Sequence, residues 1–168
     1  DFIAQELAEQ GYHCRAMRLP GFAMTNEQYA RSTIEDWIEA VQEEVATLKA
    51  SHGRVHLVAH SLGAAISLAC ETQEPGTFDS MSLVAPLISV SNARSPILTT
   101  RQWQWVSRLL LVFTHSTFNP FPPDIKDPNA EDYPWGVPAT PRSVSAQTLQ
   151  LAKQIRPLAD EITVPVLM

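Results

Sequence analysis

The run Val55-His56-Leu57-Val58-Ala59-His60-Ser61-Leu62-Gly63-Ala64-Ala65 holds the residues best arranged for chemistry in this sequence. It passes from a short apolar stretch of buried-strand type, through a polar pair, into small residues that open a helix reaching about Thr72. Small-x-Ser-x-Gly between a strand and a helix is the arrangement that an exposed, nucleophilic serine requires. The serine must occupy strained dihedrals on a sharp turn, and its neighbours two before and two after, Ala59 and Gly63, must be small to avoid a clash. Ala59 stands where the commonest pattern has glycine. Ala64 and Ala65 let the helix pack closely on the sheet. Such a turn exposes the Ser61 hydroxyl at the carboxyl end of a strand, where open α/β sheets place their sites. It also leaves the Leu62 N–H unpaired at a helix N-terminus, aimed at a developing oxyanion. The implied chemistry is acyl transfer, with Ser61 as nucleophile and the Leu62 N–H as an oxyanion donor.

The elements that must position this turn alternate between helix and strand. Residues 2–10 read as a helix with Phe2, Ile3 and Leu7 inward, ended by Gly11. Residues 12–19 read as a strand that closes on the turn Pro20-Gly21. The clearest helix follows. Ser32 and Glu35 have capping-box spacing, and Ile34, Trp37, Ile38, Val41, Val45 and Leu48 recur at three- and four-residue intervals. Glu35, Asp36, Glu39, Glu43 and Glu44 cluster on the other side as a solvated face. Short apolar runs at 55–59, 81–86 and 164–168, separated by helices, imply βαβ units and a mostly parallel sheet buried on both faces by helices. Residues 145–162 carry Leu151, Ile155, Leu158 and Ile162 at helical spacing, with Pro157 placed to kink or split that helix.

Eight of the 13 prolines fall between positions 96 and 141, so the middle of the chain reads as loops with short helices. This divides the sequence into a first core block, 1–86, an insertion, 87–144, and a return to the core, 145–168. With 168 residues, 45% hydrophobic and 18% charged, the chain can bury a real core and is neither fibrous nor disordered. A net charge of -6 disfavours nucleic acid as a partner. Cys14 and Cys70 make no disulfide framework, and no Cys/His spacing implies a metal. The longest apolar stretch, 103–113, is broken by Ser107 and Arg108 and falls short of the ~20 residues that span a bilayer. The expected location is the cytoplasm, with no stable membrane insertion.

On these residues the chain resembles the α/β-hydrolase superfamily, in the branch of carboxylesterases, monoacylglycerol lipases and lysophospholipase-like serine hydrolases. His60-Ser61-Leu62-Gly63 follows the family's G-H-S-x-G. Arg18-Leu19-Pro20-Gly21 resembles its early D/L-x-G-H-G loop, with Phe22-Ala23 in place of His-Gly. The helix at Thr33-Ile34-Glu35-Asp36-Trp37 is similar to the one before the nucleophile strand, and Ile162-Thr163-Val164-Pro165-Val166-Leu167 to the family's I-x-x-P-V-L. The resemblance implies an α/β-hydrolase fold with an inserted cap at 87–144. It also implies a serine hydrolase cleaving carboxylic esters, a small-molecule substrate, through an acyl-enzyme on Ser61, without metal or organic cofactor. His60 is then a neighbour that shapes the elbow rather than the base. Family order puts the catalytic Asp or Glu and the His after Met168, and the second oxyanion donor before Asp1. The expectation is therefore a fragment, inactive alone, that roughly 40–60 residues before it and ~70–100 after it would complete.

In the insertion, Trp103, Trp105, Leu109 and Phe113 are candidates for an apolar wall against an acyl chain such as that of a monoacylglycerol. Alternatively, these aromatics hold the cap on the core, or 103–113 lies at a membrane surface. Asp79 lies at the wrong end of its strand to be the catalytic acid, and Ala85-Pro86-Leu87-Ile88-Ser89 supplies none after that strand. Three other readings share these motifs. An acyl thioesterase is one. An aminopeptidase holding a substrate amine with Asp124, Asp127, Glu131 and Asp132 is another, and a non-catalytic binding protein of the same fold is the third.

Overall fold

A computed structural model of the chain describes residues 2–89, 116–118 and 139–168. The elements run α1 (Phe2–Glu9), α2 (Asn26–Arg31), α3 (Ile34–His52), β1 (His56–His60), α4 (Leu62–Gln73), β2 (Ser80–Val84), β3 (Ser116–Phe118), β4 (Ala139–Pro141), α5 (Arg142–Ile155), a 3₁₀ turn (Arg156–Glu161) and β5 (Val166–Leu167). β1, β2 and β5 form a parallel sheet in the order β1-β2-β5, in register from His56↔Ser80 to His60↔Val84 and from Met81↔Val166 to Ser82↔Leu167. β3 and β4 pair antiparallel, Ser116 opposite Pro141.

Alternation along the strands decides which residues meet the helices. Leu57 and Ala59 of β1 and Met81 and Leu83 of β2 face the core cluster, which takes Trp37, Ile38, Val41 and Val45 from α3. α4 supplies Ala64, Ala65, Ile66 and Leu68, and α5 supplies Val144, Leu151 and Ile155. Ala64 and Ala65 are fully buried, as a helix pressed close to a sheet demands. On the opposite face Val58 is 46% and Val84 51% exposed, so among the described residues the helices cover one face of the sheet. α1 forms where expected and ends before Gly11 at φ +89, but Phe2 and Ile3 point into solvent and only Ala4 and Leu7 are half-buried.

Three further expectations are corrected. Residues 12–19 do not form a strand. A strand exists only against a partner, and these residues pair with none of the described strands; they run beside α3, where Arg15 Nε meets Glu44 Oε1 at 2.8 Å. The capping box of α3 is Thr33 with Asp36, one residue later than Ser32 with Glu35. Ser32 is unavailable because it is buried, with its hydroxyl donating to Tyr29 C=O at 2.8 Å at the end of α2. The last helix starts at Arg142 and not at Ser145, while Pro157 breaks it as expected: the α-helix stops at Ile155 and a 3₁₀ turn follows. The residues expected to form the cap wall, Trp103, Trp105, Leu109 and Phe113, lie outside the described residues, as do Asp124, Asp127, Glu131 and Asp132. Among the described residues no helix is long and apolar enough to cross a membrane.

The loop at Pro20-Gly21 is locked to this core. Trp37, fully buried, donates its indole N–H to Pro20 C=O at 3.0 Å, and Phe22 stacks edge-on to Tyr29. Gly21 has φ +83, and a Cβ there would lie 2.8 Å from Ser32 Oγ and 3.0 Å from Tyr29 Cα. Gly21→Ala should therefore cost about 2–4 kcal/mol in chemical denaturation, from combined strain and overlap. Gly11→Ala is the control: its φ is +89 but nothing lies within 4 Å of a Cβ, so only about 1 kcal/mol is expected.

Candidate active site

β1 delivers the chain to Ser61 at the carboxyl end of the sheet, and α4 carries it away from Leu62. Between them the backbone turns sharply: Ser61 has φ 51 and ψ -114, outside the regions an L-residue ordinarily occupies. Only Ala23 and Ala85 share a positive φ among the described non-glycine residues, and Ala85 follows the neighbouring strand at the same end. Strain of this kind costs of order 1–3 kcal/mol and persists only where surrounding contacts impose it.

Here those contacts are backbone hydrogen bonds. The Ser61 N–H donates to Val84 C=O at 3.0 Å, and the Ser61 C=O accepts from Ala65 N–H at 3.2 Å and Leu87 N–H at 3.1 Å. The side chain is left alone. Although Ser61 stands at the N-cap of α4, its hydroxyl makes no capping bond, nor any other among the described residues. Leu62 is the first residue of α4, so its N–H has no intrahelical partner, and among the described residues no backbone bond outside the helix uses it. A half-buried hydroxyl and a free N–H at a helix start thus share one corner of the sheet. That corner can present a nucleophile and a donor to the same carbonyl group.

Other residues of the motif fall as follows. Ala59 faces the core, and His60 ends β1 opposite Val84 with its side chain exposed. Gly63 is helical, and a Cβ on it would meet no described atom within 4 Å, so the close approach expected there is not seen among the described residues. The remaining described histidines are engaged elsewhere. His13 and His52 stack with ring centroids 4.4 Å apart, and His56 Nδ1 lies 2.8 Å from Ser80 Oγ. Asp79 binds both polar groups of Val55, its carboxylate accepting at 2.8 Å and its N–H donating at 2.9 Å, at the end of the sheet remote from Ser61. An open groove of about 710 Å³ between residues 15–18 and α3 is lined by Arg15, Arg18, Glu43 and Glu44 and does not include Ser61.

Sequence reasoning missed two residues that hold this frame. Glu71 is buried on α4 and accepts from Gly76 N–H at 2.7 Å and Phe78 N–H at 3.0 Å. Gln147 of α5 accepts from Ile34 N–H and donates to Ser32 C=O, both at 2.8 Å, satisfying the start of α3 from a helix far along the chain. Glu71 could have been found from its position three and four residues after the buried Leu68 and Ser67. Nothing in the sequence marks Gln147.

The sequence matches the alpha/beta hydrolase family over residues 1–168. The chain belongs to that family. No curated protein matches it closely enough to count as a relative. Among solved structures, it is similar to one described with LipS and LipT, two metagenome-derived lipolytic enzymes, at TM-score 0.76 and 20% identity over 98% of this chain and 62% of that one. It is also similar to the monoacylglycerol lipase of Paleococcus ferrophilus, at TM-score 0.72 and 17% identity over 98% and 64%. At such identities the likeness is one of fold, and this alpha/beta hydrolase chain spans less than two thirds of the length of either structure.

Cys70, on the same helix as the Leu62 N–H, is fully buried with its thiol 3.7 Å from Ile38 C=O. Burial pushes its pKa up from 9.0 to about 12. The folded state therefore holds a proton that the unfolded chain releases, so this contribution is complete below pH 9 and is lost as pH rises toward 12. Above pH 9 the parent should lose about 1.4 kcal/mol per pH unit more than Cys70→Ala does, read as the difference between their denaturation midpoints.

Proposed function

We propose that the intact gene product is a serine hydrolase that cleaves carboxylic esters through an acyl-enzyme on Ser61. The observation that carries this reading is Ser61 held at φ 51 and ψ -114, its hydroxyl and the neighbouring Leu62 N–H both without a partner among the described residues. A capping serine would sit in extended backbone and bond into the helix, as Thr25 and Thr33 do at the starts of α2 and α3. Membership of the alpha/beta hydrolase family and likeness to lipolytic enzymes support the same direction.

Ser61 Oγ attacks the carbonyl carbon while its proton passes to a histidine base. No described histidine hydrogen-bonds Ser61, so that base comes from residues outside those described. The carbonyl oxygen becomes an oxyanion held by the Leu62 N–H, a donor of a kind that contributes about 3 kcal/mol to the transition state. Collapse of the intermediate breaks the ester C–O bond, and the alcohol leaves with the proton held by the base. Water then attacks the acyl-enzyme by the same route in reverse. The substrate of this reading is an ester with an apolar acyl chain such as a monoacylglycerol.

The test is to treat the intact gene product with a fluorophosphonate and map the adduct by mass spectrometry. An adduct on Ser61, absent from Ser61→Ala, is expected. A folded protein that forms none would leave the turn with a structural role only. Ester, thioester and aminoacyl-amide substrates compared at equal concentration then identify the bond cleaved.

A further inference from the structure

The N–H of Ser61 is held by the last residue of β2 and its C=O by the chain that follows β2, and the second of these bonds departs from the ladder. The register between β1 and β2 is constant up to His60↔Val84, and continued unchanged it would set Ser61 opposite Ala85. Instead the Ser61 C=O accepts from Leu87. Pro86 has no N–H to give. Ala85 adopts φ 44, and the Ile88 N–H closes back on Pro86 C=O at 2.9 Å, a three-residue turn around Leu87. The Leu87 side chain packs against the core cluster and anchors that turn. With Ala65 N–H on the other lone pair, the Ser61 carbonyl is fully used, and the peptide groups on either side of Ser61 have no freedom to rotate.

We propose that residues 84–87 form a backbone clasp that imposes the strained conformation of Ser61, with the Leu87 N–H as its positioning group. The strain at Ala85 is part of the device, because that conformation takes the chain past Pro86 to the next available donor. The proposal deepens the reading of Ser61 as a nucleophile and rests on it for its catalytic consequence. The clasp itself is a matter of backbone geometry.

The experiment replaces Leu87 in the intact gene product by its α-hydroxy acid, which keeps the side chain and exchanges only the N–H for oxygen. The same backbone ester at Ser89, whose N–H makes no described hydrogen bond, is the control. Two quantities are read: hydrogen exchange at the Ser61 amide, and the fluorophosphonate reaction resolved into its binding and bond-forming constants. In the Leu87 ester, Ser61 exchange is expected to speed up at least ~10-fold, the bond-forming constant to fall ~10- to 100-fold as for a misplaced reacting group, and the binding constant to stay unchanged. A merely structural bond would lower stability without separating the two constants. Unchanged Ser61 exchange and unchanged bond formation would overturn the clasp. If the parent itself fails to react, the nucleophile reading falls, and Ser61 exchange still decides whether the clasp exists.

Discussion

Ser61→Ala is expected to lower ester turnover by the intact gene product about a million-fold, the loss that follows removal of a nucleophilic serine acting as part of a unit. Ser61→Gly should lose as much, and the comparison between the two variants is the informative part. Alanine inherits the strain at φ 51, whereas glycine adopts that backbone freely. Ser61→Gly should therefore be more stable than Ser61→Ala by about 1 kcal/mol, and no less stable than the parent. A serine retained for structure predicts the reverse, since its replacement would cost stability and leave turnover intact. Turnover of a short-chain aryl ester and thermal denaturation, measured on all three proteins, separate the cases. Wild-type turnover by Ser61→Ala would end the nucleophile reading.

The second large effect is expected at Glu71. Its carboxylate receives the N–H groups of Gly76 and Phe78, and both it and Phe78 are buried. Hydrogen bonds to a charged group contribute about 1.5–3 kcal/mol each, and donors left unpaired carry their own desolvation cost. Glu71→Ala should thus destabilise by about 3–5 kcal/mol, and Glu71→Gln, with one acceptor oxygen in place of two, by roughly half of that. Urea denaturation reads both. The turn that Glu71 fixes leads directly into β2, whose far end meets Ser61, so Glu71→Ala should also slow Ser61 labelling. A loss below 1 kcal/mol would show that the two amides find water instead.

Features that depend on local periodicity were readable in the sequence. The strand–Ser61–helix order, the buried positions of α3 and the break at Pro157 all follow from spacing and from what proline cannot do. What depends on a distant partner was not readable. Residues 12–19 have a strand-like pattern, but pairing is a property of two segments, and they have no described partner. Ser32 and Thr33 are adjacent and both suit an N-cap; burial of Ser32 against Tyr29 makes the choice, and burial is tertiary. Phe2 and Ile3 look like core residues by type, yet no described element packs on them. At the site, the positive φ of Ser61 was implied by its neighbours, while the clasp from Leu87 needed the actual register of β2.

The seat of α5 has a consequence for how the chain tolerates change. Gln147 bonds Ser32 and Ile34 across more than a hundred residues, Ser143 bonds Ala30 C=O at 2.7 Å, and Val144 is buried in the same cluster as Trp37. The start of α3 is thus completed only by a helix that lies far along the chain. A substitution at Gln147 is therefore felt more than a hundred residues earlier, where it leaves the Ile34 N–H and the Ser32 C=O without that partner.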